Sequence, residues 1–291
     1  MRTPWHLLAA LACSTVAAVA QFTPRWLQDE AYWGDGKAEF NLYDAQEVRY
    51  GQPRPCEVVH IVVREPFSAA DLVKAEPGSK ADTYPVIKLN QVLHVPTGIY
   101  VYQQMHSAFW RVSDGTLIKA TLTSNDSCGN TYKEFRALSG LGALLGAGWR
   151  YEWRTYWEGM AAGDENVRAP EDATFYDELP LRVRTIDFSA SASGEFGIQL
   201  APTIVGSKHE SPVFKAARVK WTRSSDAIQV EVLREPREHD TFTLEASPPH
   251  SLKEWKRSDG GSYRLKRSLK IDYWNYNKLG DRERAVPPEP N

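Results

Sequence analysis

The stretch Trp149-Arg-Tyr-Glu-Trp-Arg-Thr-Tyr-Trp157 alternates aromatic and charged side chains over its first six residues. Successive side chains of a β-strand point to opposite faces of the sheet, so this period of two predicts a strand with one aromatic face. The run Glu57-Val-Val-His-Ile-Val-Val-Arg64 is rich in β-branched residues and predicts a buried strand. Both stretches indicate that the chain folds mainly into β-sheet.

Strand patterns of this kind recur along most of the chain. The further segments predicted as strands are 86–95, 99–112, 116–123, 181–188, 195–204, 213–222, 227–234, 241–246, 251–258 and 262–274. Turn residues such as Ser113-Asp-Gly115 separate neighbouring strands and favour hairpins. Only the segments 25–33 and 170–179 have helical patterns, the second ending at Pro180. The sequence therefore predicts an all-β fold with few short helices, as a large antiparallel sheet, barrel-like or sandwich architecture.

The composition is that of an ordinary globular protein. The chain has 291 residues, of which 42% are hydrophobic and 25% charged, which excludes wholesale disorder and a fibrous repeat. Its net charge of −2 argues against nucleic-acid binding, which usually needs a strongly basic domain. We expect a single β-rich domain over residues 21–283, with a loose boundary near 160–180 where Gly, Asp, Glu and Pro cluster. The Pro-rich residues 284–291 are expected to form a disordered tail.

Residues 1–20 have the pattern of a secretory signal peptide. Arg2 is the only charged residue in this stretch, and an apolar run leads to Ala18-Val-Ala20, which fits an A-x-A cleavage site. We therefore expect the mature chain to begin at Gln21 and to be exported, to the periplasm or as a secreted protein. The pattern favours this over a lipid-anchored location at the outer envelope.

The alternative of a lipid anchor would use Cys13 as the modified residue. Ala10 stands where a lipoprotein signal prefers Leu, so the match to that signal is weak. No other apolar stretch approaches the roughly 18 residues that a membrane-spanning helix needs, so no transmembrane span is expected. In an exported protein, Cys56 and Cys128 are free to pair as a disulfide, and the alternative is one buried cysteine and one partly exposed thiol.

The sequence contains no spacing typical of a metal or phosphate site. The histidines are isolated from one another, with no H-x-H or H-E-x-x-H arrangement, so we expect neither a metal nor a cofactor. The glycine-rich residues 140–148 resemble a phosphate loop, but a strand pattern follows them where such a loop needs a helix. A mobile hairpin connection is the better interpretation of that segment.

Aromatic strand faces supply most of the candidate ligand-binding residues. Tyr100 and Tyr102 share one face of the strand 99–112, and Trp153 and Trp157 share one face of the strand 149–157. Such faces usually pack in the core of a sheet. The alternative is a cleft lined by aromatic rings with polar tips, which suits a lipid or a glycan.

A compact polar segment, Trp33-Gly-Asp-Gly-Lys-Ala-Glu39, adds Trp33, Asp35 and Lys37 to the candidate ligand-binding residues. Asp35, Lys37 and Glu39 alternate along the strand that follows and therefore share one face. That geometry is able to hold an acid/base pair. The simpler interpretation is an exposed strand entrance with surface salt bridges.

Together these segments resemble a family of exported bacterial proteins, many of them lipoproteins, that has no established function. The resemblance rests on Trp33-Gly-Asp-Gly-Lys-Ala-Glu39, Arg49-Tyr-Gly51, Val62-Val-Arg-Glu-Pro-Phe67, Val86-Ile-Lys-Leu-Asn90, Thr97-Gly-Ile-Tyr100, Cys128-Gly129, Tyr156-Trp-Glu-Gly159, Glu178-Leu-Pro180 and Tyr273-Trp274. Members are sometimes labelled septum-formation inhibitor Maf, whereas true Maf proteins are cytosolic α/β nucleotide pyrophosphatases. The resemblance implies export and supplies no catalytic residues.

These observations favour a non-enzymatic, exported or envelope-associated protein that binds a lipid or glycan-like ligand through its aromatic faces. One alternative is a hydrolase of envelope polymers that uses carboxylates such as Asp35, Glu39 or Glu158. Another is a structural partner in an envelope complex.

Overall fold

The computed structural model describes residues 22–138, 148–170, 172–234 and 238–285. These residues form one sheet of 15 strands, together with three short α-helices. The predicted all-β fold with few short helices is therefore confirmed. The predicted signal peptide, most of the glycine-rich connection and the last six residues lie outside the described residues.

The strands account for most of the described chain. They are β1 (Ala38–Arg49), β2 (Gln52–Ser68), β3 (Thr83–Thr97), β4 (Tyr100–Arg111), β5 (Leu117–Asp126), β6 (Gly129–Ala137), β7 (Trp149–Arg154), β8 (Ala162–Val167), β9 (Ala173–Phe175), β10 (Ser193–Ala201), β11 (Lys215–Arg223), β12 (Ala227–Arg234), β13 (Glu238–Glu245), β14 (Leu252–Lys256) and β15 (Ser262–Ile271). The sequence patterns missed β6 and β8. In β6 the charged Lys133 and Glu134 are both buried, which breaks the expected alternation of polar and apolar residues.

Short helical segments interrupt the strands. They are α1 (Glu30–Trp33), α2 (Leu179–Arg182) and α3 (Asp281–Ala285), with 3₁₀ turns at Tyr176–Glu178, Val183–Thr185 and Tyr273–Asn275. α1 lies within the predicted helical segment 25–33, and its N-terminus is capped by the Asp29 carboxylate, which accepts hydrogen bonds from the backbone of Ala31 and Tyr32. α3 includes the first two residues of the segment predicted as a disordered tail.

The strands lie in the order β8-β7-β6-β5-β4-β3-β2-β1-β15-β14-β13-β12-β11-β10-β9. Each half of the sheet, β1–β8 and β10–β15, is a run of antiparallel neighbours, and the pairing of β1 with β15 joins the halves. β9 pairs parallel to β10, so the sheet is mixed, whereas the sequence predicted an antiparallel sheet.

The sheet has to curve strongly because the chain passes directly from one of its edges to the other. Val167 ends edge strand β8 and Ala173 begins edge strand β9, and these six residue steps span at most about 20 Å. Fifteen strands spaced about 4.8 Å apart would separate the edges by roughly 65 Å in a flat sheet. The chain between these edges leads straight into the interior of the curved sheet.

Residues 173–188, which we call the central segment, fold differently from the prediction. The predicted helix 170–179 is replaced by β9 and a 3₁₀ turn, and α2 begins only at Leu179. Pro180 lies in the first turn of α2, where its missing N–H has no partner within the helix, so it does not end the helix. The predicted strand 181–188 is also wrong, because the chain there is helical as far as Thr185.

The central segment is buried on both sides, which explains why its alternating pattern misled the strand prediction. Leu179 and Val183 pack in a hydrophobic cluster with the β10–β15 half of the sheet. Phe175 and Leu181 pack in a second cluster with strands β2–β8. A strand packed on one face of a sheet points alternate side chains in opposite directions, so it would bury only one of these two pairs of side chains against that sheet.

Buried polar contacts fix the central segment to the sheet. Arg184 donates two hydrogen bonds to the Glu39 carboxylate of β1, at 2.9 and 2.8 Å. Both side chains are almost completely buried, and Tyr32 donates a further hydrogen bond to Glu39. Burial alone would raise the pKa of Glu39, but the Arg184 guanidinium lowers it below its ordinary value, so the pair is ionic.

The substitution Glu39→Gln is expected to destabilise the fold by about 3–5 kcal/mol, because it leaves the buried Arg184 charge without its partner. The measurement is the free energy of unfolding in urea at neutral pH. Glu245→Gln is the control, since Glu245 forms an exposed pair with Lys253 and should cost below about 1 kcal/mol. Equal losses for the two variants would contradict the anchoring role of Glu39.

Candidate functional site

A polar cleft of about 380 Å³ opens at the end of the sheet where the β12–β13 and β14–β15 strand pairs turn. Its volume is in the range of small-molecule sites, roughly 300–1,000 Å³. The lining residues come from three strands of the β1–β8 half and four of the β10–β15 half, from the central segment, from residues 202–205 and from the turn after β14. They are Glu47, Arg49, Gln91, Leu93, His106, Tyr176, Asp177, Pro202, Thr203, Val205, Arg234, Glu238, Trp255, Arg257, Ser258, Asp259 and Tyr263.

Glu47 organises one side of the cleft. Its carboxylate is 1% exposed and accepts two hydrogen bonds from Arg257, at 2.8 and 3.1 Å. It also accepts hydrogen bonds from Arg49 at 3.2 Å and from the Tyr263 hydroxyl at 2.6 Å. Burial alone would lower the pKa of Arg257, but the Glu47 charge more than offsets this and the pKa is raised. One carboxylate thus orients two guanidinium groups and a phenol.

Asp240, which does not itself line the cleft, organises a second group of lining residues in the same way. Its carboxylate is fully buried and accepts hydrogen bonds from Tyr176 at 2.6 Å, Arg234 at 2.7 Å and Trp255 at 3.2 Å. The backbone N–H of Ser258 adds a further hydrogen bond at 3.1 Å. Burial and the adjacent carboxylate raise the pKa of Tyr176, so its hydroxyl stays protonated and remains a donor.

The charges that line the cleft nearly balance. Its three cations are Arg49, Arg234 and Arg257, and its four anions are Glu47, Asp177, Glu238 and Asp259. Most of these groups are paired, as in the contact of Arg257 with Asp259 at 3.0 Å. An anionic ligand therefore meets one more carboxylate than guanidinium groups, and the cleft offers it no net attraction.

Two buried polar side chains that line the cleft, Gln91 and His106, belong to a row that continues behind it. His60, Gln91 and His106 occupy directly opposite positions on β2, β3 and β4, and His60 does not line the cleft. The Gln91 amide donates to the backbone oxygen of Asp177 at 2.7 Å and lies 3.3 Å from Nδ1 of His106. Burial, reinforced by the charge of Arg184, lowers the pKa of His60 to about 3, and burial also lowers the pKa of His106. Both rings are therefore neutral at pH 7.

Trp153 and Trp157 do not line the cleft, but they hold one of its walls in place. The wall belongs to residues 202–214, which connect β10 to β11 and which we call the crossing segment. The Trp153 ring stacks on His209 at 3.6 Å, and the Lys208 ammonium lies 4.8 Å from the Trp157 ring. These two candidate ligand-binding residues are thus placed in internal contacts with the crossing segment.

Lys133 makes a buried contact with the crossing segment. Its ammonium donates hydrogen bonds to the backbone oxygens of Ile204 at 3.0 Å and Lys208 at 2.6 Å. Burial lowers the pKa of Lys133 to about 8. These contacts tie the segment, which begins and ends in the β10–β15 half, to β6 in the other half.

Trp33, Asp35 and Lys37 form a separate group at the start of β1. Trp33 is buried, and its indole N–H donates to the backbone oxygen of Trp26 at 3.0 Å. Asp35 accepts a hydrogen bond from the backbone of Lys37 and lies 3.4 Å from the Lys270 ammonium. This arrangement matches the simpler interpretation of a strand entrance with surface salt bridges.

Tyr100 and Tyr102 are the predicted ligand-binding residues that adjoin the cleft. Both hydroxyls lie within hydrogen-bond distance of the Tyr50 hydroxyl, at 2.9 and 2.7 Å. The Arg49 guanidinium, which lines the cleft, is 6.0 Å from the centre of the Tyr102 ring. These rings therefore form a rim beside the cleft mouth.

The carboxylates considered for hydrolysis are placed apart from the cleft and engaged elsewhere. Glu39 is held by Arg184, and Asp35 caps the turn before β1. Glu158 is exposed in the turn between β7 and β8. Among the described residues, no hydrogen bond or ion pair joins any two of these three side chains.

The sequence reasoning missed the residues that organise the cleft. Asp240 alternates with Phe242 and Leu244, and all three point inward. Glu47 alternates with Tyr43 and Ala45 in the same way. Both residues share one sequence signal, a carboxylate at the inward position of an otherwise apolar strand face. That signal would have identified Glu47 and Asp240.

The two cysteines outside residues 1–21 are free thiols. Cys56 is half-buried and Cys128 is exposed, which matches the alternative to a disulfide. Burial raises the pKa of Cys56 to about 11, which makes its thiolate scarce at neutral pH.

The described part of the chain contains no cluster of three or more His, Cys, Asp or Glu side chains able to hold a metal ion. Within that same part, none of the helices has the length and apolar character needed to cross a membrane.

Comparison with known proteins gives little. No protein-family model and no curated protein matches the sequence. Among solved structures, the chain is similar to a DUF1089 family protein from Pseudomonas aeruginosa, with a TM-score of 0.35 and 14% identity over 57% of this chain and 82% of that chain. A likeness at this level carries no argument about function, and the resemblance to exported bacterial proteins remains a prediction.

The stability of the protein is expected to fall as the pH is lowered from 6.5 towards 4.5. His60 takes up a proton near its ordinary pKa of 6.5 when unfolded but stays neutral when folded, so its contribution is complete above pH 6.5 and is lost towards pH 3. The loss amounts to at most about 1.4 kcal/mol per pH unit for each such histidine. Urea denaturation at several pH values measures it.

His60→Phe is expected to flatten this pH dependence, because the phenyl ring keeps the packing against Tyr43 and Tyr263 but does not titrate. His94→Asn is the control, since His94 is exposed. The free energy of unfolding is compared as a function of pH. If its slope for His60→Phe equals that of the unchanged protein, the claim that His60 stays neutral in the folded protein is contradicted.

Proposed function

We propose that this protein is a non-enzymatic binding protein whose cleft takes a neutral glycan-like ligand. The observation that carries the proposal is the cleft itself, which combines balanced charge with fixed donors and acceptors. Acceptors such as Asp177 and Asp259 lie among guanidinium donors and the hydroxyls of Thr203 and Ser258. Because each sugar hydroxyl both donates and accepts, a surface of mixed polarity suits it.

The aromatic rings of the cleft support the same ligand class. Trp255, Tyr176 and Tyr263 all line the cleft, and each ring is held at its polar end by Glu47 or Asp240. Each ring is at most 8% exposed, and the Arg234 and Arg257 guanidinium groups lie over the three rings. The fixed rings thus hold these donors in place, which reduces the entropic cost of association.

The charged lining favours a glycan over a lipid chain. An alkyl chain that entered the cleft would separate the partly exposed Arg49, Arg234 and Asp259 side chains from water without replacing their hydrogen bonds. The balanced charge likewise disfavours a phosphate or carboxylate ligand. Of the two ligand classes expected from the sequence, lipid and glycan, the geometry supports the glycan.

Filling the cleft is expected to abolish glycan binding without unfolding the protein. Val205→Trp places a large ring at the cleft wall, and Val213→Trp is the matched control, since Val213 is exposed in the same crossing segment and does not line the cleft. Binding is measured on an array of neutral glycans and quantified by titration calorimetry. We expect the affinity to fall at least tenfold for Val205→Trp and to be unchanged for Val213→Trp.

Two outcomes would contradict the proposal. The first is that the unchanged protein binds no neutral glycan on the array, in which case a structural role in an envelope complex would lead. The second is that Val205→Trp binds as well as Val213→Trp, which would place the ligand elsewhere.

We also propose that the protein acts outside the cytoplasm, in the periplasm or after secretion. Support comes from the pattern of residues 1–20, with its single charge and its A-x-A ending. Mass spectrometry of the exported protein should find Gln21 at the N-terminus. A diacylglyceryl group on Cys13 would instead show a lipid anchor, and an intact Met1 in the cytoplasmic fraction would refute export.

A further inference from the structure

The turn between β1 and β2 holds a tyrosine in a backbone conformation that bulky residues rarely adopt. Tyr50 has a φ of 54° and is followed by Gly51 with a φ of 69°. Arg49 pairs with Gln52, so these two residues form the whole loop of the hairpin. Such two-residue loops favour Asn-Gly or Gly-Gly, because the first position must also tolerate a positive φ. Folding alone therefore gives no reason for tyrosine at this position.

The Tyr50 side chain does not add to the core either, because it is 66% exposed. Its hydroxyl lies 2.9 Å from the hydroxyl of Tyr100 and 2.7 Å from that of Tyr102. The rings of Tyr100 and Tyr102 are 5.7 Å apart and tilted by 58°. The three residues, which we call the tyrosine platform, thus place three linked hydroxyls and their rings at the surface.

Arg49 connects the tyrosine platform to the cleft. It precedes Tyr50, lines the cleft and lies 6.0 Å from the Tyr102 ring. Its guanidinium is fixed by Glu47 on the cleft side and by Gln104 at 2.8 Å on the side of β4, the strand that carries Tyr102. A ligand that extends out of the cleft past Arg49 therefore meets the platform next.

We propose that the tyrosine platform is a second subsite, and that the ligand is an oligosaccharide with one unit in the cleft and the next on the platform. This inference rests on the proposed glycan binding of the cleft. A sugar ring has an apolar face of C–H groups and a rim of hydroxyls. The tyrosine rings offer a matching apolar surface, and their linked hydroxyls both donate and accept hydrogen bonds at its edge.

The backbone conformation of Tyr50 allows a test in which the ring is removed without destabilising the fold. Tyr50→Gly removes the ring and also suits the positive φ, so the variant is expected to fold and to melt no lower than the unchanged protein. Tyr156→Ala is the control, because Tyr156 is an exposed tyrosine in the β7–β8 turn that belongs neither to the tyrosine platform nor to the cleft lining. The probes are glucose and N-acetylglucosamine, each as the single sugar and as β-1,4-linked oligomers of two to six units.

Titration calorimetry of the full chain is expected to show affinity rising from the single sugar to the short oligomers. Tyr50→Gly should lower the affinity for the oligomers by about tenfold and leave that for the single sugar unchanged, while Tyr156→Ala changes neither. Oligomer affinity that is unaffected by Tyr50→Gly, or that equals the affinity for the single sugar, would overturn the second subsite alone. Failure of the unchanged protein to bind any of these sugars would overturn the subsite together with the proposed function.

Discussion

The six residue steps from Val167 to Ala173 constrain the whole molecule, because they join the two edges of a 15-stranded sheet. Only a strongly curved sheet brings those edges within about 20 Å of each other. The chain that enters the enclosed space becomes the central segment, with apolar side chains on both sides of it. The ion pair of Arg184 with Glu39 then fixes that segment to β1, where the halves of the sheet meet.

The cleft follows from the same arrangement. Where the central segment leaves a gap below the crossing segment, the inner face of the sheet carries polar side chains in place of apolar ones. Glu47 and Asp240 each bury a carboxylate there and surround it with arginine and aromatic partners. Buried polar groups satisfied by such networks hold a fixed geometry. That fixed geometry is what a ligand with many hydroxyl groups requires.

Strand periodicity predicted the fold class because it depends on local alternation, which β2, β3 and β7 display clearly. It failed for residues 181–188, where burial on both sides imitates the pattern of a strand. Prediction of the site was poorer, because contacts between distant residues create it. Tyr100 and Tyr102 adjoin the cleft, whereas Trp153 and Trp157 hold the crossing segment. Their partners His209 and Lys208 lie 56 and 51 residues further along the chain, which no local pattern indicates.

A crystal structure of the protein grown with a neutral β-1,4-linked tetrasaccharide would show directly whether the cleft binds a glycan. We expect one sugar unit between Arg257, Asp177 and Trp255, with the chain of sugars leaving the cleft past Arg49. A tetrasaccharide bound instead beside Asp35 and Lys37, or against Trp157, with the cleft unchanged, would contradict this expectation.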